Sequence, residues 1–384
     1  MKARAANLRT CRFCVMDESE AGVVFDETGQ CNCCREAIER LPHEWWPGPE
    51  GKVRMDRLVD RLRGEGKGRP YDAMVGLSGG IDSAFLVHHM ASEYGLRLLA
   101  VHVDGGWNSE PAVRNIESIL RALDLDLHTE VIEWSEMRDL QLAFLRAGVL
   151  NQDFPQDHAF FATLFRTARR YGIKTFLSGV NFASESVSIP GSDAPPSVDG
   201  AHVAAIHRRF GTVKLRSYPV MRLTEYLWMT RVRGQPAIEK PLNFFNYDKE
   251  DAKRILHARY GWRDYGSKHS ESRFTKFYQE IYLPRKHMID KRRIQLSSLI
   301  VSGQMARSAA LDELARRPID DHQAMLDIRF VAKKLGIGTD ELEDLVDAPP
   351  VPHSAYPSDH KLHARLMRVR RWLRRRELRG SKAA

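Results

Sequence analysis

The stretch Asp72-Ala-Met-Val-Gly-Leu-Ser-Gly-Gly-Ile-Asp-Ser83, continued by Ala84-Phe-Leu-Val-His-His-Met90, decides the fold. Its apolar run reads as a buried strand, its glycine pair as a turn, and the segment after the turn as an amphipathic helix. Ser78, Gly79 and Gly80 form that turn. Successive backbone amides in such a turn, aimed together with the N-terminus of the following helix, make a concavity for phosphate oxygens. Ile81 and Asp82 begin the helix, and Ser83 can add a hydroxyl donor. Asp82 is a poor direct neighbour for phosphate, so a bridging Mg2+ is the natural reconciliation. A Walker A loop would carry Lys and then Ser or Thr after its glycines, and this string does not. It is not a dinucleotide fingerprint either.

Outward from this unit, strands and helices alternate. Leu98–Asp104 reads as a strand ending in an acid, Glu110–Leu123 as a helix, and Leu127–Ile132 as a strand. Phe160–Arg170 has a helical pattern, and Thr175–Ser178 is a strand running into Gly179-Val-Asn181 and a polar segment with Glu185. This order predicts an α/β fold, a mainly parallel sheet with helices on both faces. Ligands in such sheets gather beyond the carboxyl ends of the strands. Ser78, Asp104 and Asn181 are candidates by that position, with Gly179 and Glu185 beside them; a helix cap or turn is the plainer role for Asp104 and Asn181. Gln156-Asp157-His158 reads either as part of the site or as a cap for the helix after it. Residues 184–202, rich in Ser, Pro, Gly and Asp, read as a long loop over the site or a disordered excursion. Gly261–Phe274 is dense in polar and aromatic groups, and there Lys268 and His269 could contact phosphate and Asp264 a hydroxyl.

All five cysteines lie within the first 34 of 384 residues: Cys11, Cys14, Cys31, Cys33 and Cys34. That concentration argues against a disulfide scaffold. Two pairs at C-x2-C spacing, Cys11/Cys14 and Cys31/Cys34, make a four-sulfur site suited to Zn2+, with an iron–sulfur cluster as the alternative. Cys33 competes with Cys34 for the fourth place. Val23-Val-Phe25 and Asp26-Glu-Thr-Gly29 read as a short strand and turn returning the chain to the second pair.

The composition, 43% hydrophobic and 28% charged, is that of a folded globular chain, and no apolar run approaches a transmembrane span. The N-terminus carries no apolar leader pattern, so a cytoplasmic location is expected. The formal charge of +9 is concentrated at the end: residues 361–384 hold ten bases and one acid, and the remainder sums to zero. The basic tail therefore does not make the whole chain a nucleic-acid binder; it is a candidate contact for an anionic surface, or a solubilising end.

The Ser78–Ser83 string resembles the pyrophosphate loop of the N-type ATP pyrophosphatases, the PP-loop superfamily. The resemblance narrows through Cys11-Arg-Phe-Cys-Val-Met16, Phe25-Asp-Glu-Thr-Gly-Gln-Cys-Asn-Cys-Cys34, Val103-Asp-Gly-Gly-Trp-Asn-Ser-Glu110, Gln156-Asp-His-Ala-Phe-Phe161, Gly179-Val-Asn-Phe-Ala-Ser-Glu-Ser186 and Asp264-Tyr-Gly-Ser-Lys-His269. Over about residues 8–345 the chain is similar to the N-acetyl sugar amidotransferases of bacterial surface-polysaccharide biosynthesis, including lipopolysaccharide. That resemblance implies an adenine nucleotide alpha hydrolase-like fold and an ATP-dependent, AMP-forming amidotransferase. Its acceptor would be a nucleotide-linked acetamido sugar, converted to an acetamidino sugar with ammonia from a separate glutaminase subunit. ATP would be held by Ser78, Gly79, Gly80, Ile81, Asp82, Ser83, Asp104 and Gly179, with Asp82 assisting Mg2+. Asp82, Asp104, Asn181, Glu185, Lys268 and His269 would face the reacting groups. The domains implied are a zinc-ribbon-like module (1–50), a helix and linker (51–70), the PP-loop domain (71–240), a helical substrate-binding region (241–345) and a Pro-containing linker with the basic tail (346–384). Residues 190–200 depart from the family's aromatic pattern, which leaves the acceptor open, and homo-oligomerisation stays open too. A zinc-containing tRNA sulfurtransferase is the alternative, weakened because no cysteine follows Cys34. An adaptor that binds ATP without turnover is a third, set against the intact Ser78–Ser83 string.

Overall fold

The computed structural model describes residues 8–20, 22–188, 193–232, 236–266, 270–359 and 362. Lys268 and His269, the tail beyond Leu362 and residues 189–192 lie outside them. The core is a five-stranded parallel sheet in the order β3-β2-β1-β4-β5, formed by β1 (Ala73–Gly76), β2 (Leu98–Asp104), β3 (Asp126–Val131), β4 (Thr175–Leu177) and β5 (Ala237–Glu239). Helices α1 (Asn32–Glu44) and α2 (Pro49–Glu65) precede it. Between the strands run α3 (Ile81–His88), α4 (Glu110–Leu123), α5 (Trp134–Ala147), α6 (Phe154–Tyr171), α7 (Phe182–Glu185), α8 (Gly200–Phe210) and α9 (Leu223–Leu227). After β5 come α10 (Lys249–Tyr260), α11 (Arg273–Phe277, extended through His287 by wider turns), α12 (Lys291–Val301), α13 (Arg307–Ala315), α14 (Asp321–Leu335) and α15 (Thr339–Asp347).

The period of two along each strand divides the core. Ala73 and Val75 of β1, with Leu98 and Ala100 of β2, face Met55, Leu58 and Leu62 of α2 and Phe85 and Leu86 of α3. Met74, Leu99 and Val101 face the other way, onto Leu164, Phe165 and Ala168 of α6. The two faces explain why these strands read as continuous apolar runs. The chain leaves β1 toward β2 and β3, then returns to place β4 on the other side of β1. Beyond the carboxyl ends of β1 and β4 the connections part in opposite directions, which opens a crevice there.

Helix α6 starts earlier than its apolar period predicts. Gln156 and Asp157 lie inside its first turns, so neither caps it; Asp153 holds the N-cap position and Pro155 fits the first turn. The expected loop over 184–202 is shorter at both ends: α7 runs through Glu185 and α8 begins at Gly200, with no helix or strand between them among the described residues. Val187 is buried and its N–H donates to Ser298 Oγ at 3.0 Å, and Asp199 caps α8 through the His202 amide. Among the described residues no helix is long and apolar enough to cross a membrane.

Candidate active site

The cleft beyond β1 and β4 has a volume of about 880 Å³. One of its walls begins with the turn Ser78–Gly80. Gly79 has φ +81°, and a Cβ there would sit 2.5 Å from the carbonyl oxygen of Ala112 in α4, so only glycine allows this turn against that helix. The amides of the turn meet hydroxyl oxygens: Gly80 N–H donates to Ser78 Oγ (3.2 Å), Ser78 N–H to Ser83 Oγ (3.3 Å) and Ile81 N–H to Tyr265 Oη (3.1 Å). Those oxygens stand where phosphate oxygens could accept the same bonds. Gly179 lies against the far side of the turn, a Cβ there being 3.1 Å from the Ser83 nitrogen.

Asp82 is held by three partners. Its Oδ1 accepts from Tyr247 Oη at 2.7 Å and Asn181 Nδ2 at 3.2 Å, and its Oδ2 pairs with Lys249 Nζ at 3.6 Å. Burial, followed by the Asp82 charge, pushes the Tyr247 phenol up, so Tyr247 stays a donor to Asp82. Asn181 serves two elements at once. Its Oδ1 caps α7 through the Ser184 N–H at 3.0 Å while its amide holds Asp82. A cation at Asp82 would share Oδ2 with Lys249.

Asp104 stands at the end of β2, where its Oδ1 accepts from Gly106 N (2.8 Å) and Asn108 Nδ2 (3.1 Å). The structure gives it a turn-forming place; its neighbours His102, Gly105 and Asn108 line the cleft. His102 ties β2 to the segment leading into the Ser78–Gly80 turn. Its Nδ1–H donates to the Leu77 carbonyl (2.8 Å), a tautomer set by Asn108 Nδ2 donating to Nε2 (3.0 Å). From the C-terminal helices, Lys334 Nζ donates to the Gly106 carbonyl and lies 5.0 Å from the ring centres of both Trp107 and Trp134.

Of the residues singled out in the sequence, Ser78, Gly80, Ile81, Asp82, Ser83, Gly179 and Glu185 line the cleft, while Asp104, Gly79 and Asn181 stand beside it without lining it. Asp264 also lines it, 3.0 Å from Lys253 Nζ. Sequence reading missed Lys240, Lys249 and Lys253, which bring positive charge to one side, and Asp153, Thr275 and Gln279 on another. Asp153 Oδ1 accepts from Thr275 Oγ1 (3.0 Å) and Gln156 Nε2 (3.2 Å). Burial, with Asp157 adding to it, pushes its carboxyl up to about 8. The helix-capping signal Asp248-x-x-Asp251 ahead of α10 could have pointed to Lys249, which stands in that first turn.

The four cysteines form a second centre. Cys11, Cys14, Cys31 and Cys34 are fully buried, with every pair of sulfurs within 4.8 Å. The Sγ–Sγ distances of 3.8 Å (Cys11–Cys34), 3.5 Å (Cys14–Cys31) and 3.5 Å (Cys31–Cys34) match the edge of a tetrahedron. That edge is about 3.8 Å for bonds of about 2.3 Å. The amides of Phe13, Cys14 and Cys31 all donate to Cys11 Sγ, the pattern that favours a thiolate. The donor set thus fits a tetrahedral metal. Cys33 lies outside it, its thiol donating to Asn32 Oδ1, which settles the fourth ligand for Cys34. Arg307 holds the Cys11 and Cys14 carbonyls (2.7 and 3.0 Å), and Arg293 binds the Val15 carbonyl and Asp17, so the module is fastened to α12 and α13.

Residues 271–370 match a family described as "LPS biosynthesis protein WbpG-like, C-terminal domain". That span carries Thr275, Gln279 and Lys291 of the cleft wall. No curated protein matches the chain. Among solved structures, the chain is similar to an NMN synthetase from Francisella tularensis at 16% identity. That likeness covers 78% of this chain and 87% of that one, with a TM-score of 0.31. It is also similar to an NH3-dependent NAD synthetase from Campylobacter jejuni subsp. jejuni NCTC 11168 in complex with the nitrate ion. Here the identity is 14%, over 55% of this chain and 93% of that one, with a TM-score of 0.27. Likenesses so distant carry nothing about activity.

Proposed function

We propose that the chain is an ATP-dependent, AMP-forming amidotransferase that converts the acetamido group of a nucleotide-linked sugar into an acetamidino group. The observation that carries this is the open phosphate turn at the carboxyl end of β1, with its amides on exchangeable hydroxyl oxygens and Asp82 at its edge. An amide carbonyl is a poor electrophile and its oxygen a poor leaving group. In the proposed reaction that oxygen attacks the α-phosphorus of ATP, and the bond to the β-phosphate oxygen breaks to release pyrophosphate. Ammonia then adds to the activated carbon. The carbon–oxygen bond breaks, AMP leaves with the acceptor's oxygen, and the new nitrogen loses its surplus protons.

In this scheme Ser78–Ser83 bind the leaving pyrophosphate through backbone amides and hydroxyls. Asp82, oriented by Asn181 and Tyr247, helps to hold Mg2+ arriving with the nucleotide; the ion would neutralise charge on the phosphates. Lys240, Lys249 and Lys253 add positive charge on the same side. Glu185 faces the reacting groups, Asp104 shapes the loop beside the nucleotide, and Lys268 and His269 are reserved for the anionic part of the sugar nucleotide. Zn2+ in the four-sulfur site is structural: the ligands are buried and all four positions are filled by protein sulfur. Ammonia comes from a separate glutaminase, the enzyme works in the cytoplasm, and the lipopolysaccharide context of the 271–370 match supports a surface-sugar acceptor. The sulfurtransferase reading is disfavoured by one observation: the four clustered thiols are enclosed and Cys33 is buried too, leaving no presented sulfur carrier.

Mass analysis of candidate nucleotide sugars incubated with ATP, Mg2+ and ammonium tests the assignment. Replacement of one oxygen by an imino nitrogen, with AMP formed in equal amount, is expected. A thiolated tRNA, or amidation with ADP formed instead, would refute it.

A further inference from the structure

The cleft has three kinds of wall. The phosphate turn with Lys240, Lys249 and Lys253 makes one, and Val101, Phe160, Phe176 and Ile238 make an apolar floor beside Gly76. The third is formed where the start of α6 meets α11 and its extension: Asn151, Asp153, Gln156, Thr275 and Gln279. This wall is rich in planar amides, a carboxyl and a hydroxyl, groups that pair with ligands bearing both donors and acceptors. Asp153 Oδ1 is fixed by Thr275 and Gln156, and no hydrogen bond reaches Oδ2 among the described residues. Asn151 Oδ1 fixes the Asp153 amide at 3.1 Å. The Gln279 side chain has no hydrogen-bond partner among the described residues and lines the cleft.

Displacement at the α-phosphorus needs the attacking and leaving oxygens in line, on opposite sides of phosphorus. With pyrophosphate on the turn and a purine on the apolar floor, the third wall is the polar side left for the attacking group. We propose that Asn151, Asp153, Gln156, Thr275 and Gln279 form the acceptor subsite and that it takes the hydroxyl- and amide-bearing ring of a sugar. This rests on the amidotransferase reading above and adds to it the place of the acceptor. Asp153 and Gln279 bind the ring; Thr275 and Gln156 are positioning residues that orient Asp153.

The test uses the full-length zinc-loaded protein and isothermal titration. The probes are α,β-methylene-ATP and a panel of UDP-, dTDP- and GDP-linked N-acetylated hexoses and hexuronic acids, titrated in the presence of that analogue. Gln279→Ala and Asp153→Ala are each expected to weaken the nucleotide sugar on the order of tenfold, as loss of a buried hydrogen bond does, and to leave the ATP analogue's affinity unchanged. The Gln279 side chain makes no hydrogen bond among the described residues, so its variant guards against a merely unfolded protein. Unchanged sugar affinity in both variants, equal loss of the ATP analogue, or binding of no panel member by the unaltered protein would each overturn the subsite. Failure of the underlying reading is distinct, because it appears as ADP rather than AMP in the turnover of the unaltered protein.

Discussion

In the cysteine module all four sulfurs come from one short piece of chain, Cys11 to Cys34, and close on one another within 4.8 Å. The cleft instead draws its turn from the end of β1, Asn181 from the end of β4, Tyr247 and Lys249 from beyond β5, Tyr265 from the following loop and Thr275 from α11. A centre made by local spacing is set by a few residues and is lost with any one of them. A centre made by topology distributes its groups among rigid elements, so single changes separate into those that break the fold and those that break the ligand site. That distinction can be measured.

The largest effect is expected at Asp82. Asp82→Asn keeps the shape and most hydrogen-bonding capacity but removes the charge that faces Lys249 and the incoming cation. AMP formation should fall by about a hundredfold or more, the scale of losing one preorganised electrostatic group, while the melting temperature stays near that of the parent. Near-normal turnover would remove Asp82 from the machinery. Next comes the metal. Elemental analysis should give zinc bound through the cysteines, with Cys14→Ser losing it and the module unfolding with it; iron with matching sulfide would contradict the zinc assignment.

Two neighbouring glycines sharpen the contrast inside the cleft. Gly79→Ala places a Cβ at φ +81° and 2.5 Å from the Ala112 oxygen, so it should cost about 1–3 kcal/mol or more in denaturant unfolding. Gly80 has φ −72°, and its Cβ would meet Glu271 Oε1, Ser78 Oγ and Tyr265 Oη at 3.0–3.2 Å. Gly80→Ala should therefore weaken ATP binding with a much smaller loss of stability. If the two variants behave alike, the turn does not separate fold from ligand.

How far this was legible in the sequence follows the same division. The β1–turn–α3 unit, the parallel sheet, helix α4 from Glu110 to Leu123 and the S4 cluster were legible because each depends on local period or spacing. The start of α6 was hidden because its apolar period is regular only later, although Phe154-Pro155 held a first-turn signal. Lys249, Asp153 and Gln279 were not legible as a group: the sheet's topology, not their spacing, brings them to one cleft. Asp104 was read correctly as the end of a strand, but position alone could not say that its Oδ1 is taken up by Gly106 and Asn108.

A smaller effect is expected from pH. Because burial and Asp157 raise the Asp153 carboxyl to about 8, the folded protein holds a proton there that the unfolded chain releases near pH 4. Stability from this group is thus full at acid pH and declines as pH rises toward 8. Asp153→Asn lacks this decline, so its melting temperature should gain on the parent's between pH 5 and 8; parallel curves would contradict the shift. Smallest of all, Cys33→Ser should leave the metal content unchanged, since its sulfur lies outside the cluster.

The central claim is that the acceptor's own oxygen becomes part of AMP at the Ser78–Ser83 turn. Labelling the acceptor carbonyl with heavy oxygen, supplying ATP, Mg2+ and ammonium, and weighing the AMP released tests it most directly. The account predicts one heavy oxygen in each AMP formed, with unlabelled pyrophosphate. Unlabelled AMP would contradict it.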